Sequence, residues 1–507
     1  MTAVISTDPA TGQQHPLDFE ETDAATLAEA VAGAEQATQR LGALGRLGRA
    51  DLLDSIADAL EARRDDIVAT ADSETALGPV RLNGELTRTA YQLRFFGEVL
   101  REGSYLEAVI DHAGDTPMGP RPDLRRILVP VGPVAVYAAS NFPLAFSVPG
   151  GDTAAALAAG SGVVVKAHPA HPATSALVGA IIASVTSPLV GTAVGVVYGY
   201  EAGIALVQHP SIRAASFTGS PGGGRALAEL AAGRPEPIPF YGELGSINPV
   251  LVSPEAAAAR ADSIGVGLAG SILLGGGQFC TKPGVALVPA GPAGDALVAT
   301  LAATIADASA KPALTAGMAA AYAKGLTALG AVPGARLAAG PSRAADVDAD
   351  AAAGTTPPAL IEFSGDDLAP QLAEETFGPV AVVARYRDDE HAARMLASLP
   401  GALTGTLFLE PGDTGVPAAR SAISARVGRI LYDQYPTGVA VAWAQNHGGP
   451  WPSTDSVHTS VGATSIRRYL RPVAWQNAPA SELPPELRDG AAAFPRRVDG
   501  VLVLPED

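Results

Sequence analysis

Ala214-Ala215-Ser216-Phe217-Thr218-Gly219-Ser220-Pro221-Gly222-Gly223-Gly224-Arg225 is the stretch on which the fold turns. The first five residues are small or apolar and uncharged, as a short buried strand requires. Glycines and a proline then break the pattern, and residues 225–232 return apolar groups at helical spacing. Strand, glycine-rich turn and helix in succession are half of a βαβ unit. Upstream, the same alternation repeats. Residues 126–138, β-branched and broken by Pro130, Gly132 and Pro133, read as a pair of strands. Residues 162–166 and 192–197 read as strands, and 172–184 and 203–208 as helices. Residues 22–76 are helical, with Leu52, Leu53, Ile56, Ala57 and Leu60 at helical spacing. The fold class is therefore α/β with a mostly parallel sheet. The alanine-rich run 296–353 reads as surface helices with loops.

A chain of 507 residues with 47% hydrophobic content suits two or three domains. No apolar run approaches the roughly 18 residues of a membrane span. The first residues, Met1 to Asp8, lack the basic region and apolar core of a secretory signal. A net charge of −18 disfavours nucleic acid and anionic membrane as partners. Its plain meaning is solubility, and an anionic substrate would need a local positive pocket. One cysteine builds no disulfide framework, so a cytoplasmic setting is expected.

That cysteine, Cys280, follows Gly275-Gly276-Gly277-Gln278-Phe279. A lone thiol is a poor metal site but a good nucleophile, and glycines leave amide N–H groups free to face a substrate. A buried small apolar residue is the plainer alternative. The turn at Gly219, Ser220 and Gly224 opens a helix whose N-terminus suits a pyrophosphate, although such turns also occur without ligands. Lys166, at a strand end, suits a ribose or phosphate, or simply solvent. Glu243, between apolar residues and glycines, becomes a general base if partial burial raises its pKa; capping a neighbouring amide is its other use. The Asn141 amide can donate to an oxyanion or serve its own turn.

Taken together, the motifs resemble the NAD(P)-dependent aldehyde dehydrogenase superfamily. Ser140-Asn141-Phe142-Pro143, Val164-Val165-Lys166, Phe217-Thr218-Gly219-Ser220, Glu243-Leu244-Gly245, Gly277-Gln278-Phe279-Cys280 and Glu374-Glu375-Thr376-Phe377-Gly378-Pro379 match in order and spacing. Asp8-Pro9-Ala10-Thr11-Gly12 resembles the N-terminal signature. Lys166-Ala167-His168-Pro169-Ala170-His171-Pro172, Tyr435-Pro436-Thr437-Gly438-Val439 and residues 465–473 narrow the resemblance. They point to the branch of 2,5-dioxopentanoate (α-ketoglutarate semialdehyde) dehydrogenases and NADP-dependent fatty aldehyde dehydrogenases.

The resemblance implies roles. Cys280 attacks the aldehyde, Asn141 and the Cys280 amide hold the oxyanion, and Glu243 activates water against the thioester. Lys166 and Glu375 bind the two riboses, Gly219, Ser220 and Gly224 form the pyrophosphate turn, and Phe377 packs near the nicotinamide ribose. His447 is either close to Cys280 or a structural loop histidine. Phe142, Phe146, Phe279 and Trp443 are candidate substrate-pocket walls. The substrate implied is 2,5-dioxopentanoate, oxidised to 2-oxoglutarate, with a medium-chain or fatty aldehyde as alternative. A thiol hydrolase or cofactor-free binding protein on the same fold is the alternative of another class.

Pro169 stands where many NAD-preferring relatives carry glutamate, so a 2′-phosphate is permitted but not actively bound, and the lean to NADP over NAD is what the branch implies. Against that, the loop at Tyr198-Gly199-Tyr200-Glu201 has no arginine, and Glu201 opposes a 2′-phosphate. No metal is expected, since His168 and His171 have no carboxylate or thiol nearby in sequence. The expected organisation is a cofactor-binding domain (1–115 and 132–244), a catalytic domain (245–465), and an oligomerisation arm and tail (116–131 and 466–507). That arm implies a homodimer or dimer of dimers. Arg467, Arg468 and Arg471 read as surface charge or interface residues.

Overall fold

The computed structural model describes residues 2–490 and 493–505. Its first sheet is wholly parallel, in the order Phe240–Glu243, Ala214–Thr218, Val134–Tyr137, Val163–Lys166 and Val194–Val197. Helices cover both faces, so these strands lack polar alternation. Val134, Val136, Val163 and Val165 face a core with Leu53, Ile56 and Ile181. Ala135, Tyr137 and Val164 face the opposite core with Leu206 and Val207. The strand order reverses between Ala214–Thr218 and Val134–Tyr137, which opens a crevice at their carboxyl ends.

Helix Pro172–Val190 corrects one expectation. It has no charged residue over 19 positions and a mean hydropathy of 1.7, long and apolar enough to cross a membrane, as are residues 254–277. Serines, threonines and prolines interrupt its apolar run, which hid its length. Its apolarity has a structural cause. The helix packs against Ala24–Ala62, Arg64–Thr75 and strand Val194–Val197, with Val178, Ile181 and Ile182 in the core.

A second sheet runs Ala335–Ala339, Ala359–Phe363, Val380–Tyr386, Val285–Pro289, Val250–Val252, Ala402–Phe408, Val427–Tyr432. Only its first pair is antiparallel. The run 296–353 is thus more than surface helices. It supplies the edge strand Ala335–Ala339, and Leu297, Leu301, Tyr322 and Leu326 are buried.

The third sheet joins Leu470–Gln476, Leu124–Pro130, Val109–Asp111, Arg496–Val498 and Val501–Val503. The strand pair expected over 126–138 therefore divides between two sheets, turning at Gly132 with φ 121°. Val109–Asp111, expected with the cofactor unit, pairs here.

Arg468 is neither surface charge nor interface. It is 1% exposed, pairs with Asp152 at 3.2 Å, donates to the His458 carbonyl at 3.0 Å and lies 5.5 Å from the Tyr241 ring centre. Tyr469 donates to the same carboxylate at 2.6 Å. Arg467 pairs with Glu107 at 2.7 Å, and Arg471 is exposed. Arg468 so ties the segment before Leu470–Gln476 to helix Gly151–Ala159. Arg468→Ala strands a buried carboxylate and should cost about 3–5 kcal/mol. Urea unfolding of the variant against wild type checks this; a loss below about 1 kcal/mol contradicts it.

Candidate functional site

Glu243 ends the strand Phe240–Glu243, and Cys280 lies in the loop between helix Pro254–Leu273 and strand Val285–Pro289. That loop is set by backbone geometry. Gly275, Gly276 and Gly277 have φ of 59°, 66° and 69°, a left-handed run that side chains disfavour. A Cβ on Gly277 would lie 2.3 Å from the Gly378 carbonyl carbon, so the cysteine loop rests directly on the Glu374–Pro379 motif. Asn248 fastens the two other segments. Its amide donates to the carbonyls of Ser246, Cys280 and Lys282 at 3.1, 2.8 and 2.9 Å, and its oxygen accepts from Ser246 and Thr404. It is fully buried at φ 47°, a conformation asparagine tolerates better than most residues.

The result is a hydrogen-bonded constellation. His447 Nε2 stands 2.8 Å from Glu243 Oε1 and 3.7 Å from Cys280 Sγ. Ser460 donates to the other Glu243 oxygen, and Thr459 accepts the His447 amide at 2.7 Å. Glu243 and His447 are each 1% exposed, while Cys280 is partly open. Asn141 donates through Nδ2 to the Gln278 carbonyl at 2.9 Å, leaving its second N–H free. The structure thus brings together the four residues expected to act.

Their electrostatics differ from expectation. Burial alone would raise the Glu243 pKa, but the charge and hydrogen bond of His447, with Ser460, outweigh it and lower the value to about 2. Cys280 moves the other way. Burial first, then the carboxylates of Glu243 and Glu375, push its thiol well above the ordinary value. Glu243, Cys280 and His447 also offer one donor atom each within 4.8 Å, a set able to hold a divalent ion as well as hydrogen bonds. His168 and His171, weighed as metal ligands from sequence, instead bond backbone: His171 Nε2 to the Ala139 carbonyl at 2.8 Å, His168 Nδ1 to the Ala170 amide at 3.1 Å.

From Cys280 a cavity of about 650 Å³ runs to the crevice of the first sheet. Lys166, Gly219, Ser220, Glu375 and Phe377 line it, as does Pro169. Gly224 lies beneath; a Cβ there would sit 2.2 Å from Leu244 Cδ2, so its role is close helix-to-strand packing. Ser220 caps helix Pro221–Ala232 by accepting from the Gly223 amide at 3.3 Å, with the positive end of the helix dipole at this turn. Burial lowers the Lys166 pKa, with Glu21 opposing. Glu375 is raised by burial, partly offset by Lys282, whose ammonium donates to the Val380 carbonyl at 2.6 Å. Volume, glycine turn and helix end fit a dinucleotide.

Phe142 lies 5.3 Å from Phe146 and 5.2 Å from Phe279, ring centre to ring centre, so three of the expected pocket walls cluster. Trp443 stands apart. It is 48% exposed and packs edge-on against Phe95 at 5.7 Å. Sequence reasoning missed helix Pro79–Glu102. Glu85, 5% exposed, accepts from the Leu144 and Ala145 amides at 2.8 and 2.9 Å, and Arg81 donates to the Asn141 carbonyl. Polar residues at 81, 85, 88 and 92 along an otherwise apolar face were the available signal.

The raised thiol pKa makes a prediction. Alkylation of the resting protein by iodoacetamide should take one equivalent, with a rate still climbing beyond pH 9, because only the thiolate reacts. A rate that levels near pH 7 overturns the assigned environment.

Residues 2–472 match the model of the aldehyde dehydrogenase family. The chain is 45% identical over 471 residues to alpha-ketoglutaric semialdehyde dehydrogenase 2 of Azospirillum brasilense, covering 89% of this chain and 87% of that one. It is 42% identical over 465 residues to alpha-ketoglutaric semialdehyde dehydrogenase of Acinetobacter baylyi, covering 90% and 87%. Among solved structures, Thermus 1-pyrroline-5-carboxylate dehydrogenase with bound NAD superposes with a TM-score of 0.79 at 21% identity, covering 94% and 90%. Aldehyde dehydrogenase 21 of Physcomitrella patens, with the reaction product succinate, gives 0.79 at 19%, covering 95% and 96%. These two likenesses concern the fold.

Proposed function

The chain belongs to the aldehyde dehydrogenase family, and we propose that within it this NAD(P)-dependent enzyme oxidises 2,5-dioxopentanoate to 2-oxoglutarate. The observation that carries the reaction is the meeting of Cys280, Glu243, His447 and Asn141 at one end of a dinucleotide-sized cavity. The substrate rests on the two relatives at 45% and 42% identity, both named for this semialdehyde.

The Glu243 carboxylate, beside the thiol and held by the His447 Nε2–H, takes the Cys280 proton, and the thiolate bonds to the aldehyde carbon. The carbonyl oxygen becomes an oxyanion, held by the free Asn141 N–H and the Cys280 amide; losing one such donor costs about 3 kcal/mol. A bound nicotinamide supplies the acceptor for the hydride that leaves this carbon. Cys280 then carries a thioester. Once the first proton has passed to solvent, Glu243 takes a proton from water as its oxygen attacks; the C–S bond breaks, sulfur takes that proton back as the thiol, and the acid product ionises to carboxylate. Lys166 and Glu375 bind the riboses, Gly219 and Ser220 face the pyrophosphate, and Phe377 borders the nicotinamide side. Pro169 neither grips a ribose diol nor repels a 2′-phosphate, so the cavity admits NADP as well as NAD, and the lean to NADP comes from the branch the motifs resemble. A homodimer or dimer of dimers is supported by open sheet edges: Ile430 and Tyr432 on Val427–Tyr432 are 39% and 55% exposed, and Val501 and Leu502 on Val501–Val503 are 65% and 56% exposed.

Glu243→Gln should still transfer hydride but stall at the thioester. Stopped-flow absorbance should show a burst of reduced cofactor of about one per site, then turnover slowed about 100-fold or more. Normal turnover without a burst removes Glu243 from the base role.

The substrate reading is tested by kcat/KM for 2,5-dioxopentanoate, succinic semialdehyde and hexanal with each cofactor. The keto-acid aldehyde should lead, with NADP ahead of NAD. A tenfold lead for hexanal, about 1.4 kcal/mol, replaces it with a fatty aldehyde.

A further inference from the structure

Helix Pro79–Glu102 carries Arg81, Glu85, Arg88 and Gln92 at spacings that place them along one face, beside buried Leu82, Leu86 and Leu93. Arg81 donates through Nη2 to the Asn141 carbonyl, and its guanidinium carbon lies 4.9 and 4.7 Å from the ring centres of Phe142 and Phe279, while Nη1 has no partner among the described residues. Glu85 accepts two amides of the Asn141 loop through Oε1, and its Oε2 has no partner there. Arg88 leaves both terminal nitrogens open. Its Nε donates to the Val439 carbonyl at 3.4 Å, which fixes the side chain, but Nη1 and Nη2 are buried with no partner among the described residues.

Arg88 also points along the route to the thiol. Its guanidinium carbon lies 5.1 Å from the Phe146 ring centre, and Phe146 lies 6.3 Å from the His447 ring, which touches Cys280. Burial lowers the Arg88 pKa, while Glu85, Glu243 and Cys280 raise it, so the guanidinium senses the reacting pair. A buried fork of N–H donors without acceptors is unfavourable, and a carboxylate matches that fork with two parallel hydrogen bonds. A neutral aldehyde leaves it unfilled. This answers how a protein of net charge −18 admits an anion: the local balance on this helix face is two cations to one carboxylate.

We propose that Arg88, beside Phe146, receives the carboxylate of the substrate and selects acid aldehydes over neutral ones. The proposal deepens the function given above and rests on it for the identity of the acid. In 2,5-dioxopentanoate four C–C bonds of about 1.5 Å separate aldehyde carbon and carboxylate, a reach of about 5 Å. The Arg88 fork anchors one end while Cys280 meets the other.

The test compares succinic semialdehyde with butanal, four-carbon aldehydes differing in the carboxylate, in wild type, Arg88→Gln and Arg88→Lys. The kcat/KM ratio of acid to neutral aldehyde should fall about 100-fold in Arg88→Gln, chiefly through KM. Arg88→Lys should recover part of it, and inhibition by 2-oxoglutarate should weaken in parallel. A ratio within threefold of wild type in both variants overturns the assignment. So does an equal loss on both aldehydes, the result of mere structural damage. If Arg88→Gln does not fold, the ratio in Arg88→Lys decides alone, a fall of at least tenfold being required. A wild-type preference for hexanal over 2,5-dioxopentanoate defeats the substrate reading without touching this ratio.

Discussion

One buried side-chain amide holds the centre of the molecule together. Asn248 accepts or donates to residues from three segments: the turn after Glu243, the turn after Cys280 and the strand Ala402–Phe408. The carbonyls of Ser246 and Lys282 belong to buried residues, where a carbonyl without a donor costs about 1–3 kcal/mol. Asn248 thus fixes the backbone that follows Glu243 and the backbone that carries Cys280, while His447 and Ser460 orient the carboxylate itself. The histidine that completes the constellation arrives from a fourth segment and is held by Thr459 and Ser460. Position is settled before chemistry begins, as an active constellation needs.

The same burial that fixes geometry sets the charges. Burial, then the carboxylates of Glu243 and Glu375, push the Cys280 thiol well above its ordinary range. Glu243 stays ionised because His447 and Ser460 hold it so, although burial opposes this. Lys282 and Glu375 restrain one another under the cavity floor. A strongly acidic protein thus runs its chemistry on local pairings, and its net charge says little about what enters.

The parallel strands were readable because each is a short β-branched run bounded by glycine or proline, as in Gly162-Val163-Val164-Val165-Lys166. Cys280 was readable because it is unique, and the spacing of motifs linked it to Glu243, Asn141 and Glu375. What remained hidden depends on the third dimension. The Glu243 pKa follows from His447, distant in sequence. Arg468 looked like one of three exposed arginines, yet its partner Asp152 lies on a far helix. Helix Pro172–Val190 gave no sign of its length because small polar residues break its apolar run. The polar stripe of Arg81, Glu85 and Arg88 lies in an amphipathic helix whose charges, read alone, suggest solvent.

The third sheet has an implication for how the protein is made. Its central strands, Val109–Asp111 and Leu124–Pro130, have no neighbours but each other until Leu470–Gln476 and Arg496–Val498 arrive. Roughly 340 residues are synthesised in between, which at about 5–20 residues per second is tens of seconds. Through that interval the nascent chain carries an unfinished sheet with open edges on both sides. The cofactor crevice, by contrast, is built from strands already emerged by residue 243. Birth order thus separates the two sheets: the first is complete once residue 243 is made, and the third closes only after residues 470–503 have followed.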